Sequence, residues 1–260
     1  MMKKSFFNRQ TTAVTALFYG DSVHELVTKA RIAATEGADG IAVELRTLPL
    51  DDCTVDNFKA IISAAKLPAM FISYRNNKWL GDDDEARQKY LLLAADAGAE
   101  VIDVMGDLYD PVPGELTRDP AAVAKQKKLI EEIHSRGAKV LISSHMHSLE
   151  PKSAEEIVEL MNIQAEHGAD ICKLVTNGNT EEALLEAIRA DIMLSKSFPK
   201  PFIHLTNGTF GNLHRFMGTK LGLSITFGVS GYDHTSYAQP LVRAFKTVRD
   251  TIPGDIGDMI

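Results

Sequence analysis

Short apolar runs alternate with amphipathic stretches along the whole chain. Eight of these runs have the length of a buried strand, and they begin near Thr12, Gly40, Pro68, Glu100, Ala138, Asp170, Pro201 and Gly222. The stretches between them, such as DSVHELVTKARIAATEG, carry apolar residues at helical spacing. Strands that alternate with helices pair in parallel, so eight such units predict an α/β fold, a (β/α)8 TIM barrel that spans residues 1–260 as a single domain. The alternative is a doubly wound open sheet, although no Gly-x-Gly-x-x-Gly follows the first strand.

Several predicted helices carry their own boundary signals. Asp119 before Pro120 predicts a helix start, because a carboxylate caps free N–H groups and proline suits the first helical position. Capping-box spacing marks two further starts, Ser153/Glu156 and Asn179/Glu182. A left-handed C-terminal cap is expected where four helices end at glycine, namely Gly37, Gly98, Gly137 and Gly168.

Composition and charge narrow the classes of partner. The chain has 28 Lys+Arg against 35 Asp+Glu and no basic stripe, so neither nucleic acid nor an anionic membrane is an expected partner. No apolar run approaches the roughly 20 residues of a membrane helix. Cys53 and Cys172 cannot build a disulfide framework and no signal-peptide cleavage site is evident, so a cytoplasmic protein is expected.

One cation interrupts a run that otherwise predicts a buried strand. Lys173 shares a strand face with Ile171 and Val175, while Cys172 and Leu174 share the other face. In a barrel neither face is open to solvent, so the charge needs a partner or a use. An ion pair with Asp or Glu is the structural explanation. The functional one is that desolvation lowers the pKa of the lysine, and the neutral amine then attacks a carbonyl carbon to form a Schiff base.

Further chemistry is expected at the carboxyl ends of the strands, where barrel enzymes place their active sites. His145 ends the fifth predicted strand, and an imidazole there can transfer the protons of a Schiff-base reaction. Arg46, Arg75 and Arg215 predict a substrate with a carboxylate, because a guanidinium binds one through two hydrogen bonds. The remaining polar candidates at this rim are Glu44, His147, His204, Thr235, Ser236 and Gln239.

These residues resemble those of the type I 3-dehydroquinase family, most specifically in GADICKL around Lys173 and SSHMHS around His145. The resemblance extends over most of the chain and implies a cofactor-free, homodimeric lyase of the shikimate pathway. Its substrate would be a small anionic cyclic keto acid, 3-dehydroquinate, dehydrated to 3-dehydroshikimate. The resemblance also implies that Lys173 forms the imine, His145 transfers protons and Arg215 holds the carboxylate. The other substrate-binding residues that it implies are Glu44, Arg46, Arg75, Gln239, and Thr235 or Ser236 in a lid loop.

The chain departs from this family around the catalytic residues. Leu48 stands where the family has an aspartate, Trp79 where it has the glutamate that orients the histidine, and Met105 where it has a second strand-four acid. An imidazole without such a partner should transfer protons less well. Either Asp103 or the acidic run 82–84 is expected to compensate, or the substrate is a different cyclic keto acid.

Three other functions share some of these residues. A metal-dependent hydrolase would use His145 and His147 as ligands, with His204 and His234 near the same rim. A Schiff-base aldolase would keep Lys173 and bind a phosphate, for which TNGTFGN is a candidate segment. A non-catalytic binder of organic acids would keep the arginines and have no need of the buried lysine.

Overall fold

Eight parallel strands form one sheet at the centre of the molecule. The computed structural model describes residues 5–7, 10–232 and 239–254. The strands are β1 (Ala13–Phe18), β2 (Gly40–Glu44), β3 (Ala69–Ile72), β4 (Val101–Met105), β5 (Lys139–His145), β6 (Ile171–Asn177), β7 (Phe202–Asn207) and β8 (Ile225–Gly228). Their order is β7-β6-β5-β4-β3-β2-β1-β8, and at the seam the Ser224 amide donates to the Phe202 carbonyl at 2.9 Å. The sheet therefore curves into a nearly closed barrel, which confirms the predicted fold.

Seven helices and one short 3₁₀ turn, Leu50–Asp52, connect the described strands, and an eighth helix follows β8. The helices are α1 (Val23–Thr35), α2 (Val55–Ala65), α3 (Asp84–Asp96), α4 (Pro120–Ser135), α5 (Ala154–Glu166), α6 (Glu181–Ser197), α7 (Gly211–Gly218) and α8 (Val242–Thr251). Within the described part of the chain, none of them has both the length and the apolar character needed to cross a bilayer.

The local boundary signals are confirmed except at one helix. Asp119 caps α4 ahead of a proline, and Ser153 and Glu156 form a capping box on α5. Helix α6 begins one residue later than predicted, because the hydroxyl of Thr180 accepts from the Ala183 amide, while the side chain of Asn179 accepts from the amide of Thr209. The four predicted glycine caps all have positive φ, between 82° and 108°.

The hydrophobic core is continuous from the barrel interior to the layer between strands and helices. Both faces of each strand are covered, so both are apolar, as Ile171 and Leu174 of β6 illustrate. Burial of each large aliphatic side chain stabilises the fold by about 1.5–3 kcal/mol. Polar side chains interrupt the interior on three adjacent strands, at Asp103, Ser143 and Lys173, all of them buried. The candidate site lies at this interruption.

Candidate active site

A cavity of about 180 Å³ opens at the carboxyl ends of the strands and reaches Lys173. Six of the residues predicted from the sequence line it, namely Glu44, Arg46, His145, Lys173, Arg215 and Gln239. An adjoining cleft of about 710 Å³ shares Leu17, Glu44, Arg46 and Gln239 with it. Thr235 and Ser236, the predicted lid residues, lie outside the described residues. The structure thus brings the predicted lysine, histidine and arginine to one cavity.

Lys173 faces the barrel interior and is paired there with a carboxylate. Its Nζ lies 3.3 Å from Asp103 Oδ2 and 2.5 Å from the hydroxyl oxygen of Tyr74. The rings of Tyr74 and Phe227 flank the same nitrogen, with centroids at 5.2 and 5.3 Å. The amine therefore points into the cavity, and its ion pair lies inside the barrel and not beneath the helices.

His145 is oriented by a residue that the sequence did not indicate. Its Nδ1 lies 2.6 Å from Oε2 of Glu115, in the loop between β4 and α4. Burial opposes ionisation of Glu115, but the hydrogen bond and charge of His145 outweigh it and hold the pKa of the carboxyl below its usual value. An ionised carboxylate only accepts, so Nδ1 carries the proton and Nε2 is left to take one from a substrate.

This finding corrects the prediction that Asp103 or the run 82–84 orients the imidazole. Asp103 accepts hydrogen bonds from Tyr74, Ser143 and Lys173. In the acidic run, Asp83 caps α3 and Asp84 pairs with arginines. The one signal for Glu115 in the sequence is its place after a Pro-Gly pair in a loop that follows a strand.

The loop that carries Glu115 is held in place by its backbone. The hydroxyl of Ser144 donates to the Glu115 carbonyl at 2.7 Å. A Cβ on Gly106 would meet that carbonyl at 2.5 Å, so only glycine allows this approach. Glu115 itself has φ 56°, an uncommon value for a residue with a side chain, and such backbone is found where the surrounding structure fixes it.

Arg215 supplies a buried cation at the wall of the cavity. Its Nε donates to the Thr206 carbonyl at 3.1 Å and one terminal nitrogen donates to Asn207 Oδ1 at 2.6 Å. The other terminal nitrogen, Nη1, is buried and has no hydrogen-bond partner within the described part of the chain. Burial lowers the pKa of Arg215 to about 10. A guanidinium so placed is suited to a carboxylate ligand.

Glu44 and Arg46 lie on one face at the end of β2, as their spacing predicted. Two nitrogens of Arg46 donate to the two carboxylate oxygens of Glu44 at 3.1 and 3.0 Å. Asn76, which the sequence did not indicate, donates to the same carboxylate and also lines the cavity. The pair presents both signs of charge to a ligand with hydroxyl groups.

Arg75 is placed differently from the other predicted binding residues. It is not among the residues that line the cavity, since its guanidinium donates to Asp107 and Asp84, each at 2.7 Å. Burial acts to lower the pKa of Arg75, but these two hydrogen bonds outweigh it and raise the pKa. Arg75 thus joins the loops after β3 and β4, while its Nε is buried and has no hydrogen-bond partner among the described residues.

His204 is a second correction, because it faces away from the barrel mouth. Leu174 of β6 pairs with His204 while Lys173 pairs with Ile203, so the histidine lies on the outer face, fully buried. Its Nδ1 is 2.7 Å from Asp191 Oδ1, and His214 Nε2 is 3.2 Å from Asp191 Oδ2. Among the described residues, this buried trio is the group whose geometry could hold a metal ion.

The histidine pair of the hydrolase hypothesis is arranged differently. The rings of His145 and His147 are 6.4 Å apart and nearly perpendicular, and His145 already contacts Glu115. His147 is exposed, and His234 lies outside the described residues. No described residue group around this pair meets the geometry of a metal site.

The three departures from the family pattern make no hydrogen bond to the site. Leu48 and Met105 are buried in the core. Trp79 is exposed, and its indole N–H donates to the Thr47 carbonyl at 3.2 Å. The carboxylate that contacts His145 is therefore Glu115 and not a residue at one of these three positions.

Comparisons with known proteins point to one enzyme family. A family model described as type I 3-dehydroquinase matches residues 16–252. The 3-dehydroquinate dehydratase of Klebsiella pneumoniae is 23% identical over 237 residues, which cover 88% of this chain and 89% of that protein. The catabolic 3-dehydroquinate dehydratase of Acinetobacter baylyi is 32% identical over 117 residues, or 45% of this chain and 42% of that protein. The structure of type I 3-dehydroquinate dehydratase from Clostridium difficile has the same fold, with a TM-score of 0.76, 17% identity and coverage of 93% and 92% of the two chains.

Proposed function

The chain belongs to the type I 3-dehydroquinase family and dehydrates 3-dehydroquinate, and we propose that it does so through an imine between Lys173 and the substrate ketone. The product is 3-dehydroshikimate, which places the enzyme, a carbon–oxygen lyase, in the shikimate pathway. No cofactor is needed in this scheme, because the imine itself withdraws electrons from the neighbouring carbon.

Lys173 begins the reaction. Its uncharged amine attacks the ketone carbon, and loss of water from the carbinolamine leaves a protonated imine. The lysine can make this attack because it lines the cavity, where its side chain is buried beside the rings of Tyr74 and Phe227.

His145 carries out the elimination. Its Nε2 removes a proton from the carbon beside the imine, and the resulting enamine expels the hydroxyl group one carbon further on, which His145 protonates. Glu115 keeps the imidazole in the required tautomer and stabilises the imidazolium that forms between these two transfers. Water then hydrolyses the imine and releases the product.

Arg215 binds the substrate carboxylate, while Glu44 and Arg46 bind ring hydroxyls. This assignment is supported by the buried Nη1 of Arg215, which has no hydrogen-bond partner among the described residues, and by the positions of all three residues on one cavity. Gln239 lines the same cavity, and Thr235 or Ser236 is proposed to complete the binding site from the lid segment. We further propose a cytoplasmic homodimer, which the family resemblance and two unpaired, buried cysteines support.

The observation that carries the proposal is the convergence of Lys173, His145 and Arg215 on one cavity. Incubation with 3-dehydroquinate and borohydride should reduce the imine and add the substrate mass irreversibly at Lys173. Lys173→Ala should lose both labelling and turnover, whereas His145→Ala should still trap imine but lose most elimination. Lys139, an exposed lysine at the start of β5, is the matched control, and Lys139→Ala should behave as wild type. Turnover without labelling in the wild-type enzyme would contradict the mechanism.

A further inference from the structure

The hydroxyl group of Tyr74 lies between the amine that reacts and a buried carboxylate. It is 2.5 Å from Lys173 Nζ and 2.7 Å from Asp103 Oδ2. The direct distance from Nζ to the same carboxylate oxygen is longer, 3.3 Å. Each of the two hydrogen bonds through the phenol is therefore shorter than the direct bond from the amine to the acid.

The hydrogen bonds along this route have one consistent direction. The Lys173 ammonium has only donors, so it donates to the phenol oxygen, and the phenol donates to the carboxylate. The other carboxylate oxygen accepts from the Ser143 hydroxyl at 2.5 Å, which fixes the acid in place. Burial, together with the charge of Asp103, raises the pKa of Tyr74 well above its ordinary value, so the phenol keeps its proton at neutral pH.

The proton route for the amine is separate from that of the imidazole. His145 packs edge-on against the Tyr74 ring, with centroids 5.0 Å apart, but its Nδ1 is bonded to Glu115 and not to the Tyr74–Asp103 pair. The site thus contains two acid–base systems: Tyr74 and Asp103 beside the Lys173 amine, and Glu115 beside the His145 imidazole.

We propose that Tyr74 is a catalytic residue that relays protons between Lys173 and Asp103 during formation of the imine. This inference rests on the proposed imine mechanism and adds to it a group for the step before elimination. The phenol touches the reacting nitrogen, so it acts on the reacting atoms themselves and not through His145.

The relay moves protons without a net gain or loss. In the first transfer the ammonium gives a proton to the phenol oxygen as the phenol gives its own to Asp103, which leaves a neutral amine and a carboxylic acid. The amine then forms its bond to the ketone carbon, and one N–H proton passes to the carbonyl oxygen to give the carbinolamine. In the second transfer Asp103 returns its proton through Tyr74 to the carbinolamine hydroxyl, which is two bonds from Nζ, and the C–O bond breaks to release water. The products are the protonated imine, the intact phenol and the Asp103 carboxylate beside the new positive charge.

The test is the rate at which borohydride-trappable adduct appears on Lys173 after mixing with 3-dehydroquinate. Tyr74→Phe keeps the ring and the Lys173–Asp103 contact but removes the relay, and general acid–base catalysis is worth about 10²–10⁴-fold. We expect imine formation to slow by at least ~100-fold in this variant. Tyr90→Phe is the matched control, because Tyr90 lies on α3 outside the cavity, and it should form imine at the wild-type rate.

A second readout separates a relay from a merely structural role. With substrate deuterated at the carbon that His145 deprotonates, the isotope effect on kcat should shrink in Tyr74→Phe, because imine formation becomes slower than proton abstraction. In the intact enzyme, imine formation measured across mixtures of H₂O and D₂O should slow non-linearly with deuterium content, since two protons move together. This measurement needs no folded variant.

Two results would overturn the proposal. One is a Tyr74→Phe enzyme that forms imine at the wild-type rate, which would mean that the direct Lys173–Asp103 contact suffices. The other is a linear dependence of the wild-type rate on deuterium content. In either case trapping at Lys173 persists in the wild-type enzyme, whereas failure of the imine mechanism would leave no wild-type adduct at all.

Discussion

Replacement of Glu115 by glutamine tests how this chain orients its catalytic histidine. The substitution keeps the size and an accepting oxygen of the side chain but removes the negative charge that faces Nδ1 of His145 at 2.6 Å. Proton abstraction turns the imidazole into an imidazolium, and the carboxylate stabilises that charge only after the proton has moved. The variant should therefore lose kcat while KM stays close to the wild-type value.

The size of the loss follows from the kind of contact. A hydrogen bond to a charged group contributes about 1.5–3 kcal/mol. Each 1.36 kcal/mol corresponds to a factor of ten in rate, so kcat should fall by roughly 10–150-fold. The partly exposed position of the carboxylate, whose side chain is 35% exposed, favours the lower half of this range, because water screens the charge.

The assay is the rise in ultraviolet absorbance as the conjugated product forms, with borohydride trapping run in parallel. Glu115→Gln should trap imine normally, because capture of the ketone does not require the imidazole. Glu159→Gln is the matched control, since Glu159 is an exposed residue of α5 paired with Arg118 at 3.6 Å, and it should leave both rates unchanged. A Glu115→Gln enzyme with kcat within twofold of wild type would refute the assignment of Glu115.

Two further predictions concern binding and stability. Arg215→Lys should raise KM about tenfold or more with little change in kcat, because a point charge replaces the planar guanidinium and one charged hydrogen bond to the carboxylate is lost. Arg189→Lys, at an exposed position of α6, is the control and should leave KM unchanged. Steady-state kinetics measure both constants, and an unchanged KM in Arg215→Lys would exclude Arg215 from carboxylate binding. The free energy of unfolding, measured by urea titration, should fall as the pH drops from 7 to 5. Burial lowers the pKa of His204 in the folded protein, although Asp191 beside it acts in the other direction. In the unfolded chain this histidine has its ordinary pKa of about 6.5, so it binds a proton at a pH where the folded chain does not. The stability that His204 contributes is fully present above the unfolded pKa, and it is lost by at most about 1.4 kcal/mol per pH unit as the pH falls toward the lowered pKa of the folded state. His204→Gln should flatten this pH dependence, whereas His24→Gln, at an exposed position, should not. An equal slope in His204→Gln and the wild-type protein would contradict the assignment.

The fold could be predicted from local patterns. Strand starts were placed within about three residues of those observed, since apolar runs and glycine caps are properties of short segments that each specify their own backbone. Lys173 and His145 could also be singled out as candidates, because a cation inside an apolar strand and a histidine at a strand end are unusual within their own segments. The one helix start that was wrong lay a single residue away, where Asn179 and Thr180 compete as caps.

The contacts within the site could not be predicted from these local patterns. Glu115 and His145 are 30 residues apart, and Tyr74 and Lys173 are 99 apart, so no local spacing relates them. Arg75 and Asp107, which contacts its guanidinium, are 32 residues apart and are likewise related by no local spacing. These contacts join residues that lie 30 or more positions apart in the chain.

The sequence by itself determined that this chain forms a parallel barrel, and it singled out Lys173, His145 and Arg215 as candidates for its chemistry. Only the tertiary structure decided which partners these residues have and which way His204 points. The physical reason is register: alternation sets two faces for every strand, but the pairing of Lys173 with Ile203 and of Leu174 with His204 is what sends one residue inward and its neighbour into the helical layer.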